Sequence, residues 1–408
     1  MEMNKKSLAS LALVSLASLS LSGCGGDNAA SPVWETFFSA DETEDRIDWI
    51  NSLSQDSYGD LISSGQTIVP GANREANAYV AKHDSAGNLL WKNQYDINDG
   101  TFDTDDSIKD SVVDNDGNIY VAGNLYQREG APYPYTEFLL KINQYGEQQW
   151  VQTFSEENKT WDVEFSNGLV YVGGDMTRVF DTEGTLQLEI NLENEAVWDV
   201  EPDALGNIYT SGHAFVAKHD SAGSLLWKVA NPDNVGHWTD MVINRFDEVY
   251  VAHHSYDDDR YRLVKISADG NLEWERFISE PSSSAGTFDA KPLISLDSDG
   301  NVVIVASNDY GRKLVKYSES GSVTWSKSTS GGVVRTLAID SSNDIYIFGD
   351  GTGEKFDNNG SSIGTLSISS GTTTTTGDAI VSGDGIFVAT SAQHNGSFTA
   401  YLAKFNNQ

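Results

Sequence analysis

A strand–turn–strand module recurs along nearly the whole 408-residue chain, and two copies are almost identical: AYVAKHDSAGNLLWK at 78–92 and AFVAKHDSAGSLLWK at 214–228. Such a repeat constrains architecture before any single residue is interpreted, because each unit can bury its apolar faces only against its neighbours. Two hairpin signatures alternate. One is D-x-x-G-N followed by a β-rich run, beginning at Asp114, Asp203 and Asp297. Asp and Asn suit turn geometry and Gly supplies a positive φ, with apolar residues alternating on either side. The other is a Lys-containing strand, a D-x-x-G-type turn, and a strand with Trp four residues after the Gly: Gly87/Trp91, Gly146/Trp150, Gly223/Trp227, Gly270/Trp274 and Gly321/Trp325.

Paired, the hairpins make four-stranded units, a to d, and such units repeated every ~40–50 residues predict the blades of a β-propeller. Helical periodicity is absent after the first residues. Blade starts fall near Ile47, Lys109, Thr160, Ala196, His237, Asp289, Val333 and Gly377, which predicts an all-β, eight-bladed ring; seven blades is the alternative count. Ala400–Asn407 matches the beginning of strand c, and no strand d follows it. Pro32–Phe38 carries a strand-d Trp34 without a blade of its own, so residues 32–38 are expected to complete the eighth blade and remove the open edges.

The first residues read as an export signal. Lys5 and Lys6 precede an apolar stretch from Leu8 to Leu21, about fourteen residues, which is too short to span a bilayer. It ends in Leu21-Ser22-Gly23-Cys24, which resembles the lipobox of bacterial lipoproteins, and Cys24 is the only cysteine. The expected organisation is a signal peptide at 1–23, a lipidated tether at 24–31 and a propeller at 32–408. The resemblance implies acylation of Cys24 (palmitate or a similar chain), cleavage before it and anchoring to membrane lipid. Gly25, where sorting signals place Asp, implies the outer membrane if the host is Gram-negative.

The D-x-x-G-N-x-Y-x-x-G units resemble the bacterial β-propeller repeat family and, more loosely, the quinoprotein-like (PQQ-like) eight-bladed propellers, over residues 32–408. The quinoprotein docking motif A-x-D-x-x-T-G-K-x-x-W is partly met at Ala81…Gly87…Trp91, with His83 and Ala86 in place of Asp and Thr. The chain is also similar in length, lipobox and blade count to the propeller lipoprotein of the outer-membrane β-barrel assembly machine. That similarity implies an envelope scaffold that binds a protein partner.

Sixty acidic residues against 26 basic ones give a net charge of −34, which disfavours nucleic acid and anionic lipid as partners. Six of the ten tryptophans (Trp34, Trp91, Trp150, Trp227, Trp274 and Trp325) hold the strand-d position and are read as inter-blade packing. Leu188 and Gly364 replace them in blades three and seven. Trp49, Trp161, Trp198 and Trp238 instead begin the innermost strand, at one mouth of the central channel. Nearby lie Asp162, Asp199, His237, Asp240, Lys291 and Arg335. Aromatic rings among polar groups suit a partner's side chain or a glycan, or alternatively serve as a second packing layer.

The long connections (97–109, 123–137, 253–261, 279–289 and 367–377) all belong to that same face, which is therefore the expected binding face. Asp103, Asp105 and Asp106 in one loop and Asp257, Asp258 and Asp259 in another could offer oxygen ligands to Ca²⁺, though their spacing is not that of a twelve-residue calcium loop. No other cofactor is expected. No Cys–His pair, G-x-S-x-G or H-E-x-x-H motif is present, so a binding role is expected over catalysis. A glycan-processing propeller and, more distantly, a quinoprotein-like oxidoreductase are the enzymatic alternatives.

Overall fold

A computed structural model of the chain describes residues 30–39, 47–69, 75–97, 104–127, 135–154, 159–192, 195–213, 215–230, 237–255, 260–278, 291–349, 352–367, 377–383, 385–394 and 397–406. The signal peptide expected at 1–23 and residues 24–29 of the tether expected at 24–31 lie outside them. Eight four-stranded antiparallel sheets form the blades. Their innermost strands are Ile47–Gln55, Thr104–Val113, Thr160–Ser166, Val197–Pro202, His237–Ile243, Leu293–Leu296, Thr336–Ile339 and Gly377–Ser382. Each touches the next and the last touches the first, so the ring is closed.

Blade 2 starts at Thr104, five residues before the Lys109 expected from the repeat. The acidic run ahead of Lys109 extends the inner strand instead of forming loop: Asp105 pairs with Tyr126 and Asp106 with Leu125.

The hydrophobic core is divided into eight clusters, each lying between adjacent blades. Ile62, Ala78 and Val80 of blade 1 pack on Ile119, Val121 and Leu140 of blade 2, and Phe387 and Leu402 of blade 8 pack on Ile50 and Tyr79 of blade 1. Among the described residues no blade has a core of its own, which is why the repeat must close on itself.

The turn signature acts as read. In the first hairpin of blade 2, Asp114 Oδ1 accepts the amides of Asp116 (2.9 Å) and Asn118 (2.8 Å), while Oδ2 accepts the Asn118 side-chain amide (2.8 Å) and the Tyr120 hydroxyl (3.1 Å). Both oxygens are committed to the hairpin. The strand-c lysines tie the same turns inward, as when Lys82 reaches Asp56 at 2.7 Å.

The strand-d tryptophans clamp each blade to the next. Trp91 Nε1 donates to the Gln144 carbonyl (2.9 Å) and its ring lies on Gly146, where a Cβ would sit 3.0 Å from the indole. Gly146 has φ +86°, so it meets both the turn and the close approach. Trp34, Trp150, Trp227, Trp274 and Trp325 repeat the arrangement on Gly87, Gly184, Gly270, Gly321 and Gly360. In each case the indole N–H donates to the carbonyl two residues before the glycine.

Closure follows the sequence reading. Trp34–Phe38 pairs antiparallel with strand c of blade 8, from Trp34 opposite Lys404 to Phe38 opposite Ala400. The chain just before it runs along the outer edge of blade 7, where the Ala30 amide donates to the Thr365 carbonyl (2.7 Å). Blade 8 has no c–d turn because its fourth strand comes from the other end of the chain. Gly364 of blade 7 therefore has no turn to clamp, which explains its missing tryptophan.

Candidate functional site

Strand pairing gives every inner strand a common register. The residue two before the partner of each blade's conserved strand-b position forms one ring around the channel: Ser52, Asp110, Asp162, Asp199, Asp240, Leu293, Thr336 and Asp378. In blades 1 to 5 the residue just before this ring is a β-bulge, an extra residue without a partner: Asn51, Lys109, Trp161, Trp198 and Thr239. Bulges re-aim side chains. In blades 3 to 5 they sit close to the end of the strand that receives the d–a connection, at the channel mouth, whereas in blades 1 and 2 the strand continues four or five residues beyond them.

The four inner tryptophans are thus not equivalent. Trp161 and Trp198 are both bulge residues and lie together, ring centroids 5.7 Å apart at 30°. The Lys291 ammonium stands 4.8 Å from the centre of the Trp198 ring. The Trp161 indole N–H is buried and meets no acceptor among the described residues. Trp238 is one position further out, paired with His253, because Thr239 takes the bulge; its side chain and those of His237 and Thr239 lie outside the described residues. Trp49, two positions before its bulge, leaves the channel and stacks on Phe398 of blade 8 (5.9 Å, 17°). The second-packing-layer alternative fits Trp49.

The ring aspartates have two jobs. Each passes an oxygen to a backbone amide of the following blade: Asp110 to Val163 (3.3 Å), Asp162 to Val200 (2.7 Å), Asp199 to Met241 (2.8 Å), Asp240 to Ile294 (2.7 Å) and Asp378 to Leu53 (3.1 Å). The inner strands are thereby stitched together at their least protected point.

The aspartates also crowd negative charge. Burial, then the Asp199 and Asp110 carboxylates, push Asp162 well above the usual range. Burial and then Asp240 push Asp199 up to about 8, against the Met241 amide and Lys291. Asp240 rises to about 7 through burial, opposed by the Ile294 and Met241 amides and by Lys291. One layer deeper, burial and the neighbouring carboxylates raise Glu164 to about 8 and Glu201 well above its usual value.

Asp162, Asp199 and Asp240 are half-buried and Lys291 is exposed by surface area. Protein surrounds them laterally while the channel admits water along its axis. Lys291 is pushed down by burial and held up by Asp240, Asp199 and Asp162, so it is the cation that answers this acidic arc.

Arg335 occupies the corresponding place before the ring in blade 7, exposed, with its amide donating to Phe348 (2.7 Å). The structure therefore gathers Trp161, Asp162, Trp198, Asp199, Asp240 and Lys291 on one arc and separates Trp49 from them. Sequence reasoning missed Lys109, Asp110, Glu164, Glu201 and Asp378. The duplicated W-D-V-E at 161–164 and 198–201 was the available signal for Glu164 and Glu201.

Of the calcium candidates, Asp103 and Asp257–Asp259 lie outside the described residues. Asp106 is buried, accepting the Ile97 amide (2.7 Å) and the Thr104 hydroxyl (2.8 Å), and Asp105 accepts the Ala76 amide (2.9 Å). Those oxygens fasten the start of the blade. Among the described residues no three His, Cys, Asp or Glu side chains converge to hold a metal ion. His83 and His254 are core residues, against Phe38 (4.5 Å) and Tyr261 (4.6 Å).

Eight blades, inter-blade clamps and strand-exchange closure define an eight-bladed β-propeller similar to the PQQ-like propellers. Residues 139–295, from the third strand of blade 2 into blade 6, match the family model described as outer membrane protein assembly factor BamB. Among solved structures, one described as the Dos1 propeller shares 10% identity with a TM-score of 0.61, covering 93% of this chain and 95% of that one. The Neurospora crassa Pan2 WD40 domain shares 12% identity with a TM-score of 0.42, covering 61% and 80% respectively. No curated protein matches the chain.

Proposed function

We propose that this protein is a lipid-anchored envelope propeller that binds a protein partner through its loop-rich face. Residues 1–23 would be its signal peptide, 24–31 a tether acylated at Cys24, and 32–408 the propeller. The observation that carries this reading is the one-sided channel mouth. Blades 2 to 5, with Lys291 of blade 6, supply Lys109, Trp161, Trp198 and four consecutive ring aspartates, whereas the ring positions of blades 6, 7, 8 and 1 are Leu293, Thr336, Asp378 and Ser52, with one aspartate among them. An aromatic pair with an adjacent cation and a buried indole N–H is the residue chemistry that dominates protein–protein contacts.

Support also comes from the family match, since 139–295 contains all six gathered residues and the family is named for outer-membrane protein assembly. Capture from detergent-solubilised envelope tests the reading. The wild type should retain one stoichiometric protein, and the Trp161→Ala/Trp198→Ala double variant should lose it while staying folded by circular dichroism. Retention of no protein, or equal retention by both, would count against it. Binding on a glycan array that is lost in the same double variant would favour the glycan alternative.

A further inference from the structure

Blade 3 is the one place where the clamp is incomplete although the turn it should grip is present. Leu188 replaces the tryptophan and lies over Gly223 of blade 4, where a Cβ would meet its Cδ1, Cδ2 and Cγ atoms. Beside it lies a pocket of about 520 Å³, lined by Leu169, Tyr171, Leu188, Leu205, Ile208 and Ser221 among others. That is within the ~300–1,000 Å³ range of ligand sites. It opens on the tight-turn face, opposite the channel mouth described above.

The other blades show what such a slot accepts. Six times in this molecule an indole lies on the turn glycine and donates its N–H to the carbonyl two residues earlier. Here that carbonyl belongs to Ser221, a pocket-lining residue, and no indole reaches it. Leu205, at the apex of the neighbouring turn, is 78% exposed, so the entrance presents apolar surface to water.

The rim is acidic. Asp203 and Asp220 stand on turns that frame the pocket, Asp181 accepts the side-chain amide of the lining residue Gln187, and no described Lys or Arg pairs with them. Asp181 and Asp220 are held below the usual carboxylate range, chiefly by the turn amides of Thr185 and Ser224.

We propose that this slot is a docking site for a tryptophan side chain carried on an extended, basic segment of a protein partner. The indole would complete the seventh clamp in trans: ring in the pocket beside Leu188, N–H to the Ser221 carbonyl, flanking lysines or arginines over the rim carboxylates. Such a contact is independent of the loop-rich face, and it stands or falls separately from the function proposed above.

The test is a short peptide with one 5-fluorotryptophan between lysines, titrated into the full-length protein and followed by ¹⁹F NMR. Saturable binding is expected, weakened at least about tenfold when Glu replaces the peptide lysines or when salt is raised. Leu188→Trp should fill the slot, raise the melting temperature and weaken the peptide at least about tenfold. Leu205→Ser, which leaves the slot empty but removes the apolar rim, should also weaken it, and Trp161→Ala/Trp198→Ala should leave it unchanged. No saturable binding to the wild type, or unaltered binding to Leu205→Ser together with a folded Leu188→Trp, would overturn the proposal. Should Leu188→Trp fail to fold, Leu205→Ser alone decides.

Discussion

At the scale of single residues, position in the repeat decides what a side chain does. Trp150 and Trp161 are the same residue type in neighbouring strands, yet one lies on the Gly184 turn of the next blade and the other pairs with Trp198 at the channel mouth. Trp150→Ala should therefore destabilise the fold by about 3 kcal/mol, the low end of the range for aromatic truncation because the ring is only half-buried. Trp161→Ala should cost about 1 kcal/mol or less. Urea denaturation of the two variants measures the contrast.

The channel carboxylates make a pH prediction. Asp199 is raised in the folded state, to about 8. Its contribution is fully present below the unfolded value of about 3.9 and is lost as pH rises through the folded value. Asp199→Asn keeps an oxygen for the Met241 amide and removes the charge. Relative to wild type it should become progressively more stable from pH 6 to pH 8.5, measured by urea unfolding at each pH. A constant difference would mean that the acidic arc is not under electrostatic stress.

At the scale of elements, the hairpins are where sequence and structure agree most closely. D-x-x-G and the tryptophan four residues on are local signals; hydrogen bonds within the turn enforce the first, and the tryptophan's bond to the next blade uses the second. The bulges are a different matter. A bulge is one extra residue on one strand relative to its partner, so it exists only in the pairing, and nothing local marks Trp161 or Trp198 as unpaired. For that reason Trp238 and Trp49 looked equivalent to them in sequence and are not. The start of blade 2 was misplaced for a related cause: Asp105 and Asp106 are poor strand formers by composition, and their oxygens are satisfied by Ala76 and Ile97, outside their own strand, and by Thr104 at its first position. The turn glycines also carry a prediction. Gly146→Ala must adopt φ +86° and push a Cβ against Trp91, and should destabilise by at least about 1 kcal/mol.

At the scale of the whole molecule, the ring was legible because its two ends complement each other. A strand c without strand d at 397–405 and a strand d without a blade at 34–38 meet in one sheet. Because no blade carries its own core, opening this seam exposes two inter-blade clusters and not merely one strand. Replacing Phe37 and Phe38 with Ser should accordingly lower stability of the entire ring, with hydrogen exchange accelerating in blades 7, 8 and 1 first.

The chemistry of the mouth was legible only in part. Its residue types stood out as departures from the repeat, but their convergence depends on register and on the asymmetry between blades 2–6 and the rest. The account rests on that asymmetric mouth meeting a protein. The direct measurement is photo-crosslinking in intact cells, with a benzophenone side chain placed at Lys291 and, as a control, at Thr324 on the exposed outer strand of blade 6. One envelope protein crosslinked strongly from position 291 and not from position 324 is the predicted result. No adduct from 291, or the same adducts from both positions, would contradict it.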